Sequence, residues 1–327
     1  MRKFKSSILI GIILILISCN QDKTKQVANS DLKRNQTELK GTISISGAFA
    51  LYPMTTRWAE EFRKLYPKVR IDISAGGAGK GMTDALSGIV DLGMFSREIS
   101  DVEKAKGVWW VSVTKDAVLP TINCNSPVID QILNKGITKK EFIKLFITRE
   151  IKTWDDLLQN SNLSNINVYT RADACGAAQM WGEFLEKNQE SLVGIGIYGD
   201  PGMADAVKSD VNGIGYNNII YIYDISSRKK HPGLEVIPID LNENGKIDDD
   251  EKFYNSLDDI MDAIKEEKYP SPPARELYFV AKGKPDRIEV SEFLKWIITD
   301  GQAFVKEGGY VRLTDEKLNS ELKKLTP

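Results

Sequence analysis

Between Gly41 and Phe95 one unit recurs: an alternating or apolar run, a loop of small residues, then an amphipathic stretch. Thr42–Ser46 (Thr-Ile-Ser-Ile-Ser) alternates with the period of a half-buried strand. The spacing then predicts a helix over Thr55–Tyr66, with Trp58, Phe62 and Leu65 on one face and Pro67 as its stop. Val69–Ser74 alternates again, the glycine-rich Ala75–Gly81 follows, and a helix is predicted from Met82 to Leu86. Val90–Phe95 reads as a third strand. Repeats this short leave little choice of topology. They require right-handed crossovers between neighbouring strands, and so an α/β fold with a largely parallel sheet.

Some 287 residues run from Gly41 to the end, more than one hydrophobic core usually holds, so two lobes are expected. One boundary falls near Lys115–Asn125, and another at the proline-rich Tyr269–Arg275 before a predicted strand Leu277–Ala281. The final 37 residues read as one amphipathic helix (Phe293, Trp296, Ile297, Phe304) and a tail, too little for a domain, and should return to the first lobe. The expected division is lobe I, 41–117 plus 275–327, and lobe II, 118–274, joined by two strand-like crossings with a cleft between them.

Arg2, Lys3 and Lys5 precede an unbroken apolar run from Ile8 to Ile17, a signal-peptide core too short to span a bilayer. Leu16-Ile17-Ser18-Cys19 resembles the bacterial lipoprotein cleavage box. That resemblance implies loss of residues 1–18, lipidation of Cys19 and an extracytoplasmic, membrane-anchored chain. Residues 19–40 are polar and read as a flexible tether. Cleavage would remove three positive charges and no negative one from a formal net charge of −2, leaving −5. A mildly acidic chain has no global electrostatic reason to bind nucleic acid, so any anion site must be built locally.

Three strand-to-helix loops offer such a site: Ser46–Pro53, Ala75–Gly81 and Arg171–Ala177. In an open α/β sheet ligands bind where strand ends feed helix N-termini. Arg171 and Asp173 lead through Gly176 into an apolar-periodic helix (Met180, Trp181, Phe184, Leu185). A guanidinium and free backbone N–H groups thus converge where the helix dipole favours negative charge. The 75–81 loop lacks the Gly-Lys-Ser/Thr ending of a nucleotide-binding loop. Cys124 and Cys175 sit in no metal-ligand spacing, and His231 is the chain's one histidine. A zinc site or serine triad therefore has little to work with. A Cys175–His231 thiol hydrolase and a Cys124–Cys175 disulfide both stay open at this point.

These segments resemble the phosphate-binding proteins of ABC importers, a branch of the type II periplasmic binding fold. The match runs in order through Gly47–Pro53 with Trp58, Gly76–Gly81, Val90-Asp91-Leu92-Gly93 and Ile151-Lys152-Thr153-Trp154-Asp155-Asp156. It continues through Arg171-Ala172-Asp173 with Gly176, Gly213-Ile214-Gly215-Tyr216, and the stretch from Phe293 to Gly309-Tyr310. The resemblance implies two lobes with mixed, mostly parallel sheets, a ligand cleft, a monomer, no enzymatic activity and an ABC permease as partner. It also implies ligand contacts from Ala50, Leu51, Gly76, Gly77, Ser96, Arg97, Arg171, Asp173, Cys175, Gly176 and Ala177.

The chain departs from that pattern at several side chains. Cys175 and Ala177 stand where the family has serine and threonine, Leu51 where one branch has threonine, and Gly77 where it has serine. Ser96 replaces an aspartate that accepts the phosphate proton in that branch, and Arg97 is a candidate second guanidinium. A hydroxyl can donate to any oxyanion, whereas a carboxylate repels sulfate, so Asp173 or Glu98 would have to discriminate. Inorganic phosphate is the expected ligand. Sulfate, molybdate or a small organic phosphate is the alternative, as is an envelope interaction protein that keeps the fold without transport.

Residues 240–251 fit a twelve-residue calcium loop. Asp240, Asn242 and Asn244 take positions 1, 3 and 5, Gly245 the turn, Lys246 a carbonyl ligand, Asp248 position 9 and Glu251 the bidentate close. A strand Val236–Ile239 before it and a helix Asn255–Lys268 after it make a strand–loop–helix, and hence a structural Ca²⁺ clip.

Overall fold

The computed structural model describes residues 39–161 and 164–326. The signal peptide, Cys19 and nearly all of the tether lie outside the described residues. β1 (Gly41–Gly47) leads into α1 (Tyr52–Leu65), which starts three residues earlier than its periodicity predicts because Pro53 suits a first turn. α1 buries Met54, Trp58 and Phe62, and the Trp58 indole N–H donates to the Gly301 carbonyl at 2.8 Å. β2 (Val69–Ala75) feeds α2 (Ala78–Ser87), so half of the glycine-rich loop is helix. Gly77 makes this possible by capping α2 at φ +90°, a conformation that side chains resist. β3 (Leu92–Phe95) and a short α3 (Asp101–Ala105) precede β4 (Val108–Asn123), a 16-residue strand.

The chain then forms α4 (Ile129–Lys135), β5 (Ile137–Thr138), α5 (Lys139–Phe146) and α6 (Trp154–Leu158). Next come β6 (Asn167–Arg171), α7 (Gly176–Phe184), β7 (Ile195–Ile197), α8 (Gly199–Ser209) and β8 (Gly213–Asn218). β9 (Leu234–Val236), β10 (Ile239–Asp240) and α9 (Leu257–Lys265) flank the acidic loop. Finally β11 (Ala274–Lys282), α10 (Ile288–Ile298) and α11 (Asp315–Leu325) close the fold. The predicted C-terminal tail thus contains a second helix, whose Leu318 and Leu325 pack into the same core as Phe293.

The nine-stranded sheet has the order β2-β1-β3-β11-β4-β8-β6-β7, with β9 added beside β4. β1 pairs in parallel with β2 and β3, and β6 in parallel with β7 and β8. Between these halves, β11 and β4 run antiparallel over Ala274↔Ala117 to Lys282↔Val108 and are the two crossings. Two cores result. One gathers α1, α10 and α11 over β1–β3 around Trp58, Phe62, Phe279 and Phe293. The other centres on Trp181, packed edge-on against Phe142 at 5.0 Å and stacked on Tyr216 at 5.9 Å. Each such buried aromatic contributes roughly 1.5–3 kcal/mol. The fold is a two-lobe mixed α/β structure, with strand ends from both lobes pointing into one cleft.

Candidate functional site

Arg171 ends β6, and its side chain is fully buried. Nε and Nη2 donate to the two oxygens of Asp173 at 2.8 and 2.7 Å, and Nη1 donates to Asp200 Oδ2 at 2.7 Å. Burial alone would lower its pKa, but Asp200 and Asp173 more than offset this, and the guanidinium stays charged. A guanidinium has five N–H bonds, so three are committed and two remain for a ligand. The Tyr216 hydroxyl accepts from the Arg171 amide at 3.1 Å and fixes the strand end.

α7 begins immediately after this pair. Cys175 is its N-cap, with Sγ accepting from the Ala178 amide at 3.4 Å, the role a serine hydroxyl would take. The amides of Gly176 and Ala177 are left without intrahelical acceptors, as in any first turn. Ser96, 2 % exposed at the end of β3, lies against them: a Cβ on Gly176 would collide with its carbonyl and hydroxyl. The lobes also touch where the Gly79 amide donates to the Ala174 carbonyl at 3.2 Å. Asp173 Oδ2 stands 3.0 Å from where a Cβ on Gly77 would sit. Arg171, Asp173, Cys175, Gly176 and Ser96 are therefore brought together at one point of the cleft.

Other expected contacts fall elsewhere. Arg97 turns away: it pairs with Glu103 at 2.7 Å and stacks over Phe95 at 4.5 Å, because the capping box of α3 holds Glu103 beside it. Its guanidinium is engaged by Glu103 and the Glu98 carbonyl. The amides of Gly76 and Gly77 both donate to the Gly47 carbonyl, at 2.9 and 3.1 Å, so these N–H groups brace the neighbouring loop. Leu51 caps α1, spends its amide on Ala48 and buries its side chain in the first core. Ala50 is buried beside it, and its carbonyl accepts from the Tyr310 hydroxyl at 2.7 Å. Ala177 packs into the second core. Glu98 is exposed and lines a groove of about 930 Å³ along the crossings, whereas Asp173 is at the Arg171 site.

Two site residues were missed. Asp200, in the first turn of α8, holds Arg171 from the other side, and Phe49 lies 5.8 Å from the guanidinium with its ring edge-on to Tyr198. A fourth strand-to-helix loop, Tyr198-Gly199-Asp200-Pro201, was available as the signal for Asp200. Phe49 has no local signal, since only lobe contact places it there. Cys124 and Cys175 are both free thiols. Burial pushes the Cys175 thiol up to about 12, with Arg171 opposing, so at neutral pH it caps the helix as a protonated thiol.

The acidic loop curls around Asp240 and Glu251. Asp240 accepts from the Asn244 and Gly245 amides at 3.2 and 2.8 Å, Gly245 has φ +84°, and Glu251 accepts from the Leu241 and Asp248 amides at 2.7 and 3.0 Å. The Asn242 and Asn244 side-chain Nδ2 groups donate to Asp248 Oδ2, and Lys246 pairs with the same carboxylate. Among the described residues no three carboxylate, thiol or imidazole groups are grouped as they would be around a metal ion. The helix after the loop is shorter than predicted, because Ser256 caps it.

A sheet in two halves, two crossing strands and a buried arginine at a helix N-terminus between the halves define a two-lobe binding protein. The chain belongs to the PBP superfamily, whose domain model matches residues 33–301. It is 26 % identical over 312 residues to the phosphate-binding protein PstS of Pseudomonas aeruginosa, covering 88 % of each chain. It is 24 % identical over 326 residues to the phosphate-binding protein PstS of Staphylococcus aureus, covering 98 % of this chain and 90 % of that one. In fold it is similar to a phosphate ABC transporter substrate-binding protein of Clostridium perfringens solved with bound phosphate. That pair has TM-score 0.68 and 22 % identity over 84 % of this chain and 100 % of the other. An ABC-type phosphate transport receptor from Vibrio cholerae gives 0.60 and 16 % over 83 % and 100 %.

Proposed function

We propose that this protein captures inorganic phosphate outside the cytoplasm and delivers it to an ABC permease, without chemistry on the ligand. The carrying observation is the buried Arg171, clamped by Asp173 and Asp200 with two N–H bonds to spare, at the N-terminus of α7. In this reading the anion takes those two N–H bonds, the first-turn amides of α7 and the Ser96 hydroxyl. Exclusion of water on closure strengthens each of these charged hydrogen bonds. The PstS relatives, named for phosphate, support the ligand and the transport role. Lipidation at Cys19 would keep the receptor beside its permease, and it would act as a monomer.

We further propose that residues 240–251 bind a structural Ca²⁺ through oxygens of Asp240, Asn242, Asn244, Lys246, Asp248 and Glu251. The donor set is all oxygen, as calcium requires, and the loop is already turned inward around Asp240. The ion would clip β10 to the segment before α9.

The deciding experiment is calorimetric titration of residues 20–327, stripped of carried-over anion, with phosphate and then sulfate, alongside Arg171→Lys. Micromolar or tighter phosphate binding, at least tenfold weaker in the variant that keeps the charge but loses the fork, is expected. Preference for sulfate would make this a receptor for another oxyanion, and silence toward both would overturn the reading.

A further inference from the structure

Behind Arg171 the polar contacts do not stop. Asp200 Oδ2 holds Arg171 while its Oδ1 accepts from Asn218 Nδ2 at 2.7 Å. The Asn218 side-chain oxygen accepts in turn from Arg275 Nη2. Arg275 forks onto Asp116, with Nε to Oδ1 at 2.9 Å and Nη2 to Oδ2 at 3.2 Å. All five residues are buried, from Asp116 at 0 % to Arg171 at 7 % exposed. Arg275 and Asp116 are directly opposite each other on the two crossing strands, and the register between those strands shifts at Leu277/Tyr278, two residues away. Bending between the lobes has to pass through these strands, since they alone join the two halves of the sheet. Buried charges are costly unless every partner is in place, so such a chain is made whole or is strongly unfavourable. Among the described residues the Arg275 Nη1 is the one buried guanidinium nitrogen without a partner, which leaves this residue the slack to change contacts.

We propose that Asp200, Asn218, Arg275 and Asp116 form a latch that couples the anion-holding arginine to the hinge, so that the lobes close only when the whole chain of contacts is made. These are positioning residues, and Asn218 is the link that joins the two ion pairs. The inference rests on the phosphate reading for its ligand but not for its geometry.

The test compares the full mature chain with Asn218→Ala and Arg275→Lys by phosphate titration and by small-angle scattering, with and without phosphate. Expected are phosphate binding weakened about 10- to 100-fold, within the range of allosteric couplings, and loss of the phosphate-induced contraction in both variants. A merely structural role would lower melting temperature without changing the contraction. Binding within twofold of wild type with the same contraction overturns the latch. Should Asn218→Ala not fold, Arg275→Lys and hydrogen exchange on wild type decide. Phosphate must then slow exchange around 114–118 and 274–278, and unchanged exchange there overturns the proposal. Should wild type bind no phosphate, the functional reading fails, and ligand-free scattering judges the latch alone: altered lobe spacing in the variants supports it, identical profiles overturn it.

Discussion

Cys175 shows how one residue's environment selects among chemistries. Its thiol is buried, caps α7 and is pushed up to about 12. At pH 8 it should resist iodoacetamide in the folded protein and react only on unfolding, and rapid labelling of folded Cys175 would count against the cap. The sign of the pH dependence follows. The unfolded thiol loses its proton near the ordinary thiol range while the folded one keeps it, so folding stability falls as pH climbs from about 9 toward 12. Burial also raises the Tyr216 and Tyr254 hydroxyls above their ordinary range, which acts in the same direction. Denaturant midpoints at pH 7.5 and 10.5 check this, and equal midpoints would refute it. Arg171 and Asp173 were legible because a strand end, a charge pair and a helix start lie within seven residues. The pairing of Arg97 was not legible, because local sequence cannot say which way a side chain leaves a strand end, and the capping box that draws it to Glu103 forms only in the folded chain.

At the scale of the element, α7 and the acidic loop carry the tests. Gly176 touches Ser96 across the cleft, so Gly176→Ala should leave the fold intact but hold the lobes apart. Phosphate affinity is then expected to fall at least tenfold, about 1.4 kcal/mol, with a nearly unchanged circular dichroism spectrum. Unaltered affinity would mean that the two surfaces do not meet when the ligand is bound. For the loop, calcium should raise the melting temperature and a chelator should lower it, and Glu251→Gln should abolish the difference. Identical wild-type melts in both conditions remove the metal from the account. Strands and helices were legible wherever periodicity ran long enough, as in β1, α1 and β2. The α2 start was not, since Gly79 and Gly81 look like loop until tertiary contacts to Ala174 and Met94 make glycine the residue that fits.

At the scale of the whole molecule, the lobes meet at Gly79–Ala174 and Gly176–Ser96. A ligand bound only in the cleft stabilises the folded state by mass action, about 2.7 kcal/mol at a hundredfold excess over Kd. Phosphate at that level should raise the melting temperature by several degrees, and sulfate by less. Equal shifts would show that Asp173 does not discriminate. The alternating runs, the crossover lengths and the chain length determined by themselves an α/β fold with two cores, because periodicity and surface-to-volume scaling act through local pattern and size. The charge pair at 171–173 ahead of an apolar-periodic run also marked Arg171 beside a helix N-terminus. Only the tertiary structure decided that Asp200 closes on Arg171, that Gly76 and Gly77 brace Gly47, and that Asn218 joins Arg171 to the hinge pair. Those contacts link residues far apart in sequence, and the direction of a side chain is set by what packs around it.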